Sequence, residues 1–303
     1  MWLAERPITK TIIMEKKDKK DQFVIAYLTD LAETETVVSH AAFFAHKLGK
    51  GLILLHISDP QYTKVSPSEA EGDLKKINET VKQSTNQPIK QSTYLALNGD
   101  TRQVLTSLPT LMNAVLIVAQ VAAHASRRSP MSRRNVLRNL ADCRAAFLTV
   151  QQPLIQNSKF KIQNYDNVAM VVDFKKESKD KFIWSSYFPR FVGSRMHVLY
   201  YDYKDQFLRS KWYANMQQLH KLYTGLDISF QPHTIESKST FPDEGALRFA
   251  NENGISLLIC VTTKERDTLE LLIGTQEQRT ITNRYNIPIL FLNPREDLYV
   301  LCD

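Results

Sequence analysis

The stretch LLICVTTKERDTLELLIGTQEQRTITNRYNIPILFLNP, Leu257–Pro294, decides the fold. It reads as a strand, a polar loop, a helix and a second strand closed by proline. LLICV (Leu257–Val261) and ILFLNP (Ile289–Pro294) are short apolar runs, the pattern of strands buried on both faces. The same order occurs at Val115–Pro153, where VLIVA (Val115–Ala119) is answered by FLTVQQP (Phe147–Pro153). In an open parallel sheet, ligands bind outside the carboxyl ends of the strands. The loops after Ala119 and Val261 are therefore the first places to look for a site.

Working outward, each half repeats one order of elements. DQFVIAYLTD ends its apolar run at Asp30, and VAMVVD ends at Asp173. After the first comes a helix with Val37, Ala41, Phe44, Ala45 and Leu48 at helical spacing and Gly49 at its end. After the second comes a helix with Ile183, Tyr187 and Phe191, and Gly193 in the matching place. GLILLHIS and HVLYYD are second strands, STYLAL and DISFQPHTI third strands, with Pro232 marking an edge or an irregularity. Ser66-Pro67-Ser68-Glu69 is a capping box with proline at the first helical position. Pro109 and Pro189 fall inside helical patterns and should kink or end them. Asp30 and Asp173 are 143 residues apart, Gly49 and Gly193 are 144, and Pro153 and Pro294 are 141. A near-constant offset over five strands implies two copies of one unit. The expected divisions are a flexible arm 1–21, a first domain 22–153, a polar linker 154–165 and a second domain 166–303.

A chain of 303 residues with 43% hydrophobic and 23% charged residues is an ordinary globular protein. No apolar run approaches the ~20 residues of a membrane helix, and the N-terminus lacks a secretory pattern. A cytoplasmic location with no membrane association is expected. Cys143, Cys260 and Cys302 stand in no CxxC spacing, which fits reduced thiols. The net charge of +7 is uneven: His124–Arg144 carries six arginines against one aspartate, whereas Lys264–Ile287 is neutral.

Two β-α-β-α-β-α-β-α-β units resemble a tandem universal stress protein. The resemblance rests on YLTDLAETE and VVDFKKESK, on KLGKGLILLHISDP, on Gly99-Asp100 before VLIVA, and on the closing strand pairs; it covers about 22–153 and 166–295. It implies an α/β fold of two Rossmann-like (adenine nucleotide alpha hydrolase-like) domains. Each would be a five-stranded parallel sheet of order 3-2-1-4-5 with helices on both faces. It also implies pairing through the fifth strands, so that one chain is a pseudo-dimer of its halves; a further homodimer is open. The family's role would be binding and association in stress response, without catalysis.

In ATP-binding members the loop after strand four reads Gly-x2-Gly-x9-Gly-Ser/Thr, because glycines let the backbone approach phosphates at a helix N-terminus. Here Gln120, Ala123 and Arg133-Arg134 occupy those places in the first half, and no glycine occurs between Gly99 and Gly193. In the second half Thr262 and Glu265 take the early places, and Gly274-Thr275 remains. No resident cofactor is expected, and ATP is the one candidate, through the second-half loop, with slow hydrolysis or nucleotide-gated signalling as the alternative function. Candidate nucleotide contacts are Asp30, Asp173, Thr262, Gly274 and Thr275. Against these, Gly274-Thr275 could be a turn glycine and an N-cap, and either aspartate could cap its following helix. Arg127, Arg128, Arg133 and Arg134 could hold a small anionic ligand or an acidic protein; they could equally be a solvated loop or an oligomer contact. Nucleic acid would need aromatic residues between the arginines to stack bases, and there are few. The seven histidines show no metal spacing, and neither a P-loop nor a nucleophile elbow is present. No catalytic residue is assigned, and the chain is expected not to be an enzyme.

Overall fold

A computed structural model describes residues 21–84, 89–121, 129–133, 135–140, 142–151, 164–174, 178–235, 242–262 and 280–293. The arm 1–20 and most of the linker lie outside the described residues, as do Arg127, Arg128, Arg134, Gly274 and Thr275.

The first half runs β1 (Phe23–Tyr27), α1 (Glu35–Lys47), β2 (Gly51–Ser58), α2 (Pro67–Ser84), β3 (Ser92–Asn98), α3 (Thr101–Leu111), β4 (Ala114–Val121), α4 (Asn135–Leu140) and β5 (Ala146–Gln151). The second runs β6 (Asn167–Val171), α5 (Ser178–Tyr187), a single π-helical turn at Phe188–Val192, β7 (Arg195–Tyr201), α6 (Gln206–Gly225), β8 (Phe230–Ile235), α7 (Pro242–Glu252), β9 (Leu257–Val261) and β10 (Ile289–Leu292). Every residue of β1, β2, β5 and β10 is buried, as continuous apolar runs demand when helices cover both faces. Pro232 sits in β8 at one outer edge, where its missing N–H costs no ladder bond. The capping box forms as read: Ser66 N–H donates to Glu69 Oε2 at 2.8 Å and Glu69 N–H to Ser66 Oγ at 3.3 Å.

The two five-stranded sheets expected from the sequence meet through their fifth strands, as the resemblance implies. All ten strands form a single sheet, β3-β2-β1-β4-β5-β10-β9-β6-β7-β8. The join is antiparallel, with Thr149 opposite Ile289, Leu148 opposite Leu290 and Phe147 opposite Phe291; the other pairings are parallel. The reason is in the sequence: β5 and β10 alternate large apolar side chains to both faces, so neither is built as an edge. One apolar layer gathers α3, α4 and α7 over Phe147 and Phe291. The other gathers α1, α2, α5 and α6 over Leu148 and Leu290. Both layers cross the join without a break.

Tyr165, the last residue of the expected linker 154–165, belongs to the core. It is fully buried and packs on α1, with ring centroids 4.8 Å from Phe44 and 5.3 Å from Phe43. Its hydroxyl lies 2.5 Å from His40 Nδ1. The two prolines behave differently. Pro109 falls near the end of α3, which stops two residues later. Pro189 is absorbed by the π turn, in which Gly193 N–H reaches the Phe188 carbonyl at 2.9 Å.

Candidate functional site

The carboxyl ends of β1 and β2 form a buried polar floor in the first half. Asp59 is 3% exposed; its two oxygens accept from Gln61 N–H at 2.9 Å and Thr101 N–H at 2.8 Å. It thereby fixes the start of α3, whose own N-cap is Asp100 accepting from Gln103 N–H at 2.8 Å. Beside it, His56 places Nδ1 2.8 Å from the Leu28 carbonyl. A carbonyl can only accept, so Nδ1 carries the proton. Burial lowers the His56 pKa, opposed by that hydrogen bond and by the charge of Asp30, and Nε2 is left as a buried acceptor. Among the described residues neither His56 Nε2 nor Ser58 Oγ has a partner. Tyr27 completes the floor, its phenol pushed up chiefly by burial.

Asp30 stands exposed at the rim. Its Oδ1 accepts from Ala32 N–H at 2.9 Å, closing a local turn. It does not cap α1, whose N-cap is Thr34, so the capping alternative does not apply here. Arg133 is exposed, just ahead of α4.

The second half builds its end differently. Asp173 lies two residues past β6, and its carbonyl accepts from Asn215 Nδ2 at 2.7 Å. The Tyr203 phenol is held up by burial first and by the Asp173 charge second, and its ring meets Phe174 edge-on at 5.4 Å. Lys181, on α5, is 4% exposed and donates from Nζ to the Val171 carbonyl at 2.6 Å. A buried ammonium therefore sits beside the strand end that Asp173 follows. Thr262 directly follows β9; its hydroxyl lies 2.6 Å from Asn293 Oδ1 and 3.3 Å from the Leu292 carbonyl. Asn293 Nδ2 in turn donates to the carbonyls of Leu140 and Cys143, at 2.7 and 2.8 Å. Thr262 is thus built into the join between the halves.

Because β5 and β10 run antiparallel, the strand ends of the two halves face opposite edges of the sheet. Asp30 and Asp173 are not brought together. Sequence reasoning passed over Asp59 and Lys181. Asp59-Pro60 directly after a strand was a usable signal; a lysine on an amphipathic helix gave none. Among the described residues no group of three or more His, Cys, Asp or Glu could hold a metal ion. No helix among them is long and apolar enough to cross a membrane.

No protein-family model and no curated relative matches the sequence. Solved structures do match the fold. A universal stress protein from Archaeoglobus fulgidus DSM 4304 aligns over 90% of this chain and 97% of its own, with TM-score 0.67 and 14% identity. A functionally unknown protein from Pseudomonas aeruginosa PAO1 aligns over 91% and 93%, with TM-score 0.60 and 14% identity. The cytoplasmic domain of a prokaryotic cation chloride cotransporter aligns over 93% and 100%, with TM-score 0.54 and 11% identity. At such identities the likeness is one of fold: a large, mostly parallel α/β sheet of the universal stress protein kind.

Proposed function

We propose that the chain is a tandem universal stress protein, a non-enzymatic binding and regulatory module with its dimer partner built into the same polypeptide. One observation carries this reading. Leu148 lies opposite Leu290 at the centre of the antiparallel join, and Phe44 meets Phe188 edge-on at 5.9 Å. By strand register Leu290 is the counterpart of Leu148, 142 residues on, and Phe188 is that of Phe44, 144 residues on, the offset of Gly49 and Gly193. Residues that touch their own counterparts lie on a two-fold axis, as in an isologous dimer interface. Pairing through fifth strands is what the family resemblance led us to expect.

The nucleotide sites are read as degenerate. The first-half loop has no glycine to bring backbone close to phosphates, and Thr262 spends its hydroxyl on Asn293. Isothermal titration with Mg-ATP to millimolar concentration should show no saturable heat. Saturable binding that disappears in Asp173→Ala or Thr275→Ala would replace this reading with that of an ATP-binding member using the second-half loop. A cytoplasmic location is part of the proposal. One structure of this fold is a cotransporter's cytoplasmic domain, so the fold also serves within larger membrane proteins.

A further inference from the structure

From β1 to β2 the first half matches β6 to β7 at an offset of 144, since β1 begins at Phe23 and β6 at Asn167, and β2 at Gly51 and β7 at Arg195. By that offset Trp184 corresponds to His40, Tyr187 to Phe43, Phe188 to Phe44, and Tyr165 to Asp21. The surfaces of α1 and α5 are therefore equivalent, yet among the described residues only that of α1 carries a covering ring. On α1, the Tyr165 ring lies over His40, Phe43 and Phe44, with centroids 5.8, 5.3 and 4.8 Å away. On α5 the counterpart of that tyrosine is an aspartate, which carries no ring.

What stands there instead is a cleft of about 710 Å³. It lies between α5 with its π turn and the strand starts of the first half, and includes neither Asp30, Asp173 nor Thr262. Trp184, Tyr187 and Phe191 form a continuous aromatic wall, with successive ring centroids 5.4 and 5.7 Å apart. Ile183 and Phe191, both on this wall, are 45% exposed, an unusual cost for large apolar side chains. Across from them the cleft is lined by Lys50 and Arg144, against one carboxylate, the buried Asp180. The counterparts of those two cations are Ser194 and, by the register of β5 and β10, Asn286, so the positive lining belongs to the open side alone.

From this we infer that the cleft is a binding site for a small organic anion bearing an aromatic ring. The ring takes the place on α5 that Tyr165 takes on α1, and its acidic group pairs with Lys50 and Arg144. Apolar and aromatic walls with a few placed charges are the usual make-up of a small-molecule site, and the volume suits a compound of two or three rings. The inference does not depend on whether either half binds nucleotide.

Anilinonaphthalene sulfonate, an aromatic anion that fluoresces when desolvated, is the probe. Titrated into the full chain at neutral pH, it should saturate at one molecule per chain, and indole acetate should displace it. Lys50→Gln and Arg144→Gln should each weaken it by about tenfold, the scale of one charge-assisted contact. Trp184→Leu should abolish it, while Asp30→Asn leaves it unchanged. Circular dichroism and melting decide which variants are folded. Should Trp184→Leu unfold, the half-buried Lys50→Gln still carries the test. No saturable binding at millimolar probe, or binding that folded Lys50→Gln and Arg144→Gln leave unchanged, overturns the assignment.

Discussion

Acidification should loosen the join between the halves through His40. The imidazole is held between α1 and Tyr165, and burial lowers its pKa from 6.5 to about 4. In the unfolded chain the ring regains its ordinary value. A depressed folded pKa means that the unfolded state binds the proton first. The stabilising effect of a neutral His40 is therefore complete above pH 6.5, falls as pH drops below it, and levels off below about 4. The full difference is ~3 kcal/mol, of which ~2 kcal/mol is lost by about pH 5. This is a sizeable part of a typical folding stability of ~5–15 kcal/mol. His56 and His197 are also depressed by burial and act in the same direction. The measurement must therefore isolate one ring. Urea unfolding of the unsubstituted chain and of His40→Phe, at neutral and mildly acidic pH, does so. The variant leaves the Tyr165 hydroxyl without this hydrogen-bond partner, so it should be less stable at neutral pH. Its further loss on acidification should be smaller by ~2 kcal/mol. Equal losses in both proteins would mean that His40 is not held neutral, and the argument from its burial would fail.

Phe291→Ala should cost ~3–5 kcal/mol in urea unfolding, because the ring is fully buried and stacked on Phe147 at the join; a loss below ~1 kcal/mol would show that the join bears little of the stability. Gly51→Ala should cost ~1–3 kcal/mol, since a β-carbon there would lie 2.5 Å from Phe23 Cε1 in a packed core; an unchanged melting temperature would contradict that packing. Cys143 is buried and its thiol is pushed up to about 12, so at neutral pH it should resist aromatic disulfide reagents until the chain unfolds, while the part-exposed Cys260 reacts sooner. Mass spectrometry after brief labelling distinguishes the two, and early modification at Cys143 would refute its burial.

The parts of the fold that were legible from sequence are those whose cause is local. Phe23–Tyr27, Leu52–Leu55 and Ile289–Leu292 are apolar without interruption because helices cover both faces, and the sheet shows this directly. Ser66 and Glu69 found each other because a capping box spans three residues. Tyr165 was misassigned because its partner His40 is 125 residues away and its neighbours are polar. The π turn was half legible: Pro189 forbids a regular ladder, but the choice between a stop and one extra residue depends on Phe188 finding Phe44. Asp30 does not cap α1: Thr34 holds that place, and the Asp30 carboxylate accepts from Ala32 N–H instead, a choice between two local turns that the sequence leaves open. Lys181 was hidden for the opposite reason. A lysine is nearly always left in water, and only the three-dimensional position of the Val171 carbonyl explains its burial.

A pseudo-dimer in one chain has a freedom that a true dimer lacks. In a homodimer any substitution appears on both sides of the axis at once, so a surface is either filled twice or left open twice. In the proposed pseudo-dimer, equivalent residues can differ while the axial pairs Leu148–Leu290 and Phe44–Phe188 keep the halves together. Among the described residues one equivalent place shows such a difference: Tyr165 covers α1, Asp21 has no ring to lay on α5, and Lys50 and Arg144 line the open side. A large apolar wall left in water costs ~25 cal/mol for each Å² exposed. Nothing about the axis requires that cost, because a tyrosine at position 21 would remove it by the same contacts seen on the other side. Exposure that the fold could so simply have avoided, beside charges its counterpart lacks, is the physical signature of a surface kept for something else to cover.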